Sequence, residues 1–184
     1  YAEMFMSNRR EPNGRSNLIS VKSLIAESPL DPSLISIREY VDASLSNKLF
    51  PVSRVTPLML ADKLDDLGNR AALLVEGLNV RNDTLAYELG DIQAWSQLAC
   101  YVADKIRGAT AFHFFEKTGD EAYKIQAVAF LEKAKTHWIE LVHITEGLYP
   151  EAYCQILPNG SEEKWHWSKL LPAVQEDITY VSEH

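Results

Sequence analysis

The sequence predicts an all-α fold: an up-and-down bundle of about four helices preceded by an extended N-terminal arm. The first reason is that no proline occurs between Pro57 and Pro150. The second is that this stretch lacks the alternating apolar and polar residues of strands, and its apolar residues recur instead every three or four positions. With 184 residues, 46% of them hydrophobic, the chain is long enough to bury a core without disulfides or a structural metal.

We expect residues 1–55 to form an arm or linker, and residues 56–184 to form the bundle domain. The arm holds the turn sequences Asn13-Gly14 and Ser28-Pro29-Leu30-Asp31-Pro32, which leave room for one short helix between Ser33 and Ala43. Five apolar residues suggest that the arm packs on another surface: Leu18, Ile19, Val21, Leu24 and Ile25.

The first long helix is predicted to begin at Pro57, because Thr56 is a suitable N-cap and proline is favoured at the first helical position. Gly77 is its predicted stop. The residues expected to face inward are Leu60, Leu64, Leu67, Ala71 and Leu74.

The second helix, capped by Asp83 or Thr84, is predicted to continue to about Thr118, before Gly119. One inward stripe comprises Leu85, Leu89, Ile92, Ser96, Ala99, Ala103 and Ile106. A second stripe comprises Trp95, Leu98, Val102, Ala109 and Phe112. A helix with two apolar sides is expected at the centre of a bundle, and the small residues would let a neighbouring helix approach closely.

A third helix is predicted to follow the cap Asp120 and to end at Gly147. Its inward residues are expected to be Tyr123, Ala127, Phe130, Ala134, Trp138 and Leu141. Residues 148–166 are predicted to form a loop carrying Asn159-Gly160. Pro172 is then expected to open a fourth helix with Val174, Ile178 and Val181 on one face.

Charge and cysteine content exclude several classes of function. The chain has 18 Lys and Arg against 26 Asp and Glu, a net charge of −8, and no basic stripe for a phosphate backbone, so we expect no nucleic-acid partner. No apolar run approaches the roughly 20 residues of a membrane span, so no membrane insertion is expected. Cys100 and Cys154 could form one disulfide or remain two free thiols.

Metal and cofactor chemistry have little support in the sequence. Glu140-x-x-His143 places a carboxylate and an imidazole on one helical face, and di-iron bundles need that motif twice. Here it occurs once, with a reversed His113-x-x-Glu116 on the preceding helix. We therefore predict no metal site and no cofactor, and Glu140 and His143 are the residues that a metal site would use. No motif for nucleophilic catalysis or phosphate binding occurs, so no catalytic residue is assigned.

Aromatic residues crowd the stretch before the fourth helix and offer the best candidate ligand surface. Trp165, Tyr153 and Glu151 are the predicted ligand-binding residues, because flat aromatic rings beside charged groups can stack on sugar rings. The alternative is that Trp165 and Trp167 close the end of the bundle. We expect Trp167 to behave as core, since it is in register with Leu170 and Val174.

The run from Asp91 to Ala109, DIQAWSQLACYVADKIRGA, resembles the C-terminal helical region of large secreted bacterial polysaccharide-degrading glycoside hydrolases. These are enzymes of the α-glucuronidase and α-galacturonidase type that often bear carbohydrate-binding modules. Further agreement lies in Thr56-Pro57-Leu58, in Ala127 to Trp138 and in Pro172 to Ile178, so the resemblance spans about residues 50–181.

The resemblance implies a non-catalytic accessory helical domain, a C-terminal fragment whose catalytic acids would lie upstream of Tyr1. The expected partners are that upstream catalytic domain and a polysaccharide, and the expected location of the parent protein is secreted or periplasmic. A first residue other than methionine agrees with a processed or excised piece. Two alternatives stay open: a stand-alone helical protein-interaction module and a small metal-dependent bundle enzyme.

Overall fold

The computed structural model describes residues 18–78, 82–149, 152–156 and 162–184. In these ranges there are six α-helices: α1 (Val21–Ala26), α2 (Ile37–Leu45), α3 (Pro57–Val75), α4 (Asp83–Thr118), α5 (Glu121–Glu146) and α6 (Leu171–Glu183). Two strands, β1 (Ala152–Ile156) and β2 (Glu162–Trp165), and a 3-10 turn (Trp167–Leu170) lie between α5 and α6. The fold is a helical bundle, as the sequence predicts.

The helix ends follow from local capping chemistry. The Thr56 side chain accepts a hydrogen bond from the backbone N–H of Met59, and the Asp120 side chain accepts one from that of Ala122. Gly119 ends α4 in the left-handed conformation, at φ 70°. The N-cap of α4 is Asn82, one or two residues before the predicted Asp83 or Thr84. The Asn82 side chain accepts hydrogen bonds from the backbone N–H groups of Thr84 and Leu85.

Helix α4 is the centre of the bundle. It packs most extensively on α5 and α3, with α1 and α2 also against it. Close approach depends on glycine: a Cβ atom on Gly108 would lie 2.9 Å from Leu131 of α5. The predicted two-sided burial holds for the C-terminal half of α4, where the buried residues include Leu98, Val102, Ala103, Ile106, Ala109 and Phe112. Within the described ranges, no helix is both long enough and apolar enough to cross a membrane.

The inward face predicted for α3 is partly wrong. Leu67 and Leu74 are exposed, and the buried line is Pro57, Ala61, Gly68 and Val75. Gly68 has no side chain, so α3 can approach α4 closely on this line of residues. The approach is close enough for the Ser96 hydroxyl to donate a hydrogen bond to the Gly68 carbonyl. The N-terminal half of α4 departs from its prediction in the same way, since Leu85, Ile92 and Trp95 are exposed.

Helices α5 and α6 present the inward faces that their sequences predict. On α5 the buried set contains Ala127, Ala134, Trp138 and Leu141, while Tyr123 and Phe130 are half-buried. On α6 it contains Val174, Ile178 and Val181. Trp167 packs on the core, as expected: its carbonyl accepts from the Trp138 indole N–H at 3.1 Å, and the two rings meet edge to face.

The described part of the arm packs on the bundle. Leu18, Val21, Leu24 and Ile25 are buried, and α1 is a second short helix that the sequence did not predict. The helix predicted between Ser33 and Ala43 is present as α2, although it starts at Ile37. The domain boundary placed after residue 55 stays a prediction.

The loop predicted over residues 148–166 contains a hairpin. Strands β1 and β2 pair antiparallel, with Ala152 opposite Trp165, Tyr153 opposite Lys164, and an irregularity between Tyr153 and Gln155. The hairpin is not predictable from the sequence, because the run AYCQI is too short for a clear alternating pattern. Its pairing also depends on a second strand that begins six residues further on. The predicted turn residues Asn159 and Gly160 lie outside the described residues.

Candidate functional site

A groove runs between α3 and α5, which flank α4 and are parallel to each other. Toward the α4 N-terminus the groove holds an open pocket of about 340 Å³. The lining residues are Ala72, Leu73, Glu76, Gln93, Gln97, Glu140 and Ile144. Two carboxylates, two amides and three apolar side chains therefore line an open, amphipathic surface.

A network of charges continues from this groove along the seam of the three helices. Asp104 of α4 is fully buried, and its Oδ1 accepts from the Arg107 guanidinium at 2.9 Å. Its Oδ2 lies 3.2 Å from Nζ of Lys133 on α5. Arg107 also reaches Asp62 at 2.9 Å and Asp65 at 3.2 Å on α3. One buried carboxylate and one arginine thus tie all three helices together.

His137 connects the groove to this network. Its Nδ1 lies 2.8 Å from Oε1 of Gln97, within hydrogen-bond distance. Its Nε2 lies 3.6 Å from Oδ2 of Asp104. Burial lowers the pKa of His137 and outweighs the opposing effect of Asp104, so the imidazole is neutral at pH 7 and positions the Gln97 amide at the groove.

A second buried ion pair lies on the other side of α4 and holds the arm. Lys105 Nζ lies 2.7 Å from Asp177 Oδ2 of α6 and 3.0 Å from the Tyr101 hydroxyl. The Lys105 ammonium also donates to the Ile19 carbonyl, and Asp177 Oδ1 accepts from the Val21 N–H at 2.7 Å. Asp177 is buried while its neighbour Glu176 is exposed, because Asp177 has these two partners inside the core.

The predicted metal candidates do not assemble into a site. Glu140 lines the groove and His143 is exposed on α5, while the Nδ1 of His113 is 2.7 Å from the carboxylate of Glu116. Because α4 and α5 are antiparallel, His113 and His143 lie at opposite ends of the bundle. Among the described residues, no three His, Cys, Asp or Glu side chains are grouped so that they could hold a metal ion.

The predicted ligand-binding residues fall largely outside what the structure describes. Glu151 lies outside the described residues, as do the side chains of Tyr153 and Trp165. The backbone of the hairpin places Tyr153 and Trp165 on neighbouring rungs of the two-stranded ladder. Ligand binding by these three residues stays a prediction.

The turn after α5 brings an aromatic pair to the N-terminal end of α4, which the sequence did not reveal. The Tyr149 hydroxyl donates to the Asp91 carboxylate, and the Tyr149 and Tyr87 ring centres are 6.0 Å apart. Local burial and the Asp91 carboxylate raise the pKa of Tyr149 to about 12. The Tyr149 phenol is therefore a hydrogen-bond donor and not a base at neutral pH.

Cys100 is a free, buried thiol on the α3 side of α4. Burial, with the nearby carboxylates of Asp65 and Asp104, raises its pKa to about 11. A thiol with so little thiolate at neutral pH is a packing residue and not a nucleophile.

No protein-family model matches the chain, and neither does any curated protein. Among solved structures, the fold is similar to that of a GH138 enzyme targeting pectin rhamnogalacturonan II, with a TM-score of 0.64 and 17% sequence identity. The match covers 81% of this chain and 23% of that chain, so the chain spans less than a quarter of the neighbour's length. At this identity the likeness establishes the fold alone: a helical bundle of a kind that occurs within a glycoside hydrolase.

Proposed function

We propose that this chain is a non-catalytic accessory helical region of a larger glycoside hydrolase. The observation that carries the proposal is the match of four fifths of the chain to under a quarter of an enzyme that targets pectin. A fold that makes up so small a share of an enzyme leaves most of that polypeptide to carry the catalytic acids.

The buried charges support a structural role. Asp104 is neutralised by Arg107 and Lys133, and Lys105 is neutralised by Asp177. Charges that are paired between helices hold those helices in place, whereas a catalytic acid must face its substrate. These residues therefore account for the architecture of the bundle and leave the chemistry to another part of the enzyme.

We also propose the class of the parent enzyme, its location and its contacts with the saccharide. The parent enzyme is of the α-glucuronidase or α-galacturonidase type, is secreted or periplasmic, and acts on a polysaccharide through an upstream catalytic domain. Within the accessory region, Trp165, Tyr153 and Glu151 contact the saccharide. If they do, adding pectic oligosaccharides shifts the tryptophan fluorescence of the chain, and Trp165→Ala abolishes the shift while Trp167→Ala lowers stability instead.

An activity comparison tests the proposal. The 184-residue chain and the longest polypeptide encoded by its reading frame are each incubated with rhamnogalacturonan-type pectin, and newly formed reducing ends are counted. We expect release by the longer polypeptide and none by the chain. Release by the chain alone would contradict a non-catalytic role.

A stand-alone protein-interaction module is the second candidate, because α3 and α4 expose large apolar side chains. An initiator methionine immediately before Tyr1 in the gene would favour this candidate. A reading frame that extends several hundred residues upstream would favour the accessory region.

A further inference from the structure

Five large apolar side chains on α3 and α4 are exposed on one side of the seam between the two helices. Their exposed fractions are 49% for Leu67, 78% for Leu74, 50% for Leu85, 39% for Ile92 and 63% for Trp95. We call this surface the α3/α4 face. Scattered exposed leucines are ordinary, but a contiguous apolar surface marks an interaction site.

Helical geometry places these residues together. Leu67 and Leu74 are seven residues apart, as are Leu85 and Ile92, so each pair follows one line along its helix. The two lines adjoin, because a Cβ on Gly68 would lie 2.9 Å from the Ser96 carbonyl. Gln93 lines the groove on the opposite side of the seam, so the face and the groove are separate surfaces.

The face continues an interface that the chain already makes. The described part of the arm, with α1 and α2, covers the C-terminal half of α4. The Ile19 carbonyl meets Lys105, the Tyr40 ring meets Phe114, and Asp42 pairs with Lys117 at 2.8 Å. The stripe that is buried from Leu98 onward is exposed at Trp95. The apolar stripe of α4 therefore extends toward its N-terminus, beyond the part of α4 that the described residues of the arm cover.

We propose that the α3/α4 face is the docking surface for the remainder of the larger enzyme. This inference rests on the proposed function, under which most of the polypeptide lies outside the bundle, as it does in the structural neighbour. Charge indicates the chemistry of the partner surface. Glu88 and Asp91 are exposed beside Trp95, whereas Asp66 and Arg70 on α3 pair with each other at 3.4 Å. The partner surface is apolar with a basic rim.

The composition of the face favours a folded protein surface over a saccharide. Sugar rings stack on flat aromatic side chains, and Trp95 supplies the only aromatic ring among the five. The other four residues are branched aliphatics, which pack well against other side chains and offer no hydrogen bonds to hydroxyl groups.

Hydroxyl-radical footprinting tests the docking, because it measures the solvent access of individual side chains. Trp95 oxidation is compared between the 184-residue chain and the longer polypeptide, with Ile125 of α5, 69% exposed, as an internal reference. We expect Trp95 to be oxidised severalfold more slowly in the longer polypeptide and Ile125 to react equally in both. Equal oxidation of Trp95 in the two proteins would overturn the proposal.

Matched variants separate docking from folding. Ile92→Asp is expected to restore fast Trp95 oxidation in the longer polypeptide and to split its thermal unfolding into two transitions, while the chain alone keeps its melting temperature. Ile125→Asp is the control and is expected to change neither. If Ile92→Asp leaves Trp95 protected, the face does not dock.

Three further outcomes would assign the α3/α4 face to a different occupant. Protection of Trp95 in the chain alone that grows with protein concentration would assign the face to a second copy, and protection by added pectic oligosaccharide would assign it to a saccharide. Protection lost on deletion of residues 1–17 would assign it to the chain itself. Each overturns the docking proposal but not the proposed function. A natural polypeptide no longer than this chain would overturn both.

Discussion

Lys105 of α4 and Asp177 of α6 form an ion pair inside the core, with Nζ and Oδ2 2.7 Å apart. The pair also holds the arm, because Lys105 donates to the Ile19 carbonyl and Asp177 accepts from the Val21 N–H. Burial alone would lower the pKa of Lys105, but Tyr101 and Asp177 together raise it, so the lysine stays charged at neutral pH. Two helices and the arm are therefore held together by one internal ion pair.

The first prediction concerns this pair. Lys105→Met keeps the aliphatic stem but leaves Asp177 buried without its cation, so we expect the free energy of unfolding to fall by about 3–5 kcal/mol. Lys133→Met is the matched control: Lys133 is half-exposed at the edge of the Asp104 network, and its loss should cost about 1 kcal/mol or less. Urea unfolding measures both. Equal effects of the two variants would mean that Lys105 is not the buried anchor described here.

The second prediction is a pH dependence set by His137. Because burial lowers the pKa of His137 in the folded protein, the unfolded chain takes up the proton more readily. The stability contributed by the neutral ring is present above about pH 6.5, the ordinary histidine value, and is lost as the pH falls through the lowered pKa. His137→Gln should flatten the loss of stability over this range, and NMR titration of the ring should give a midpoint below the ordinary value. A midpoint above it would show that Asp104 dominates.

The third prediction concerns the contact between α3 and α4. Ala at position 68 would place Cβ 2.9 Å from both the Cys100 sulfur and the Ser96 carbonyl, and the carbonyl cannot move without the helix. Gly68→Ala should destabilise the protein, since overpacking of roughly 1–3 kcal/mol outweighs a gain in helix propensity of about 1 kcal/mol. Gly147→Ala, where an added Cβ meets nothing within 4 Å, should be neutral or slightly stabilising. Thermal unfolding checks the pair, and a stabilised Gly68→Ala would refute the close approach.

Sequence reasoning located the long helices because their ends are determined by neighbouring residues. Thr56, Gly119 and Asp120 act within three or four positions of themselves, so their roles could be recognised without tertiary information. The buried side of α3 is less predictable from the sequence. Leucines at seven-residue spacing predict a buried stripe but do not identify the element that covers it. The side of α3 that carries Gly68 faces α4. Leu67 and Leu74 lie beside it and form the α3 part of the α3/α4 face.

The polar parts of the bundle could not be found in this way. Asp104, Lys105 and Asp177 have the residue types of a solvated surface, and only their partners on other helices explain their burial. The groove between α3 and α5 likewise depends on the packing of three helices that are distant in the sequence. Glu140 is three residues from His143 in the sequence, yet it lies at the groove with residues of α3 and α4 that no short motif connects to it.

The size of the natural polypeptide that contains this sequence decides between an accessory region and an independent protein. We expect peptides from α3, α4 and α5, identified by mass spectrometry of the source organism's proteins, to migrate with a polypeptide several times the 20.8 kDa of this chain. Peptides of a catalytic domain should come from the same polypeptide. Peptides confined to a polypeptide of about that mass would contradict an accessory region of a larger glycoside hydrolase.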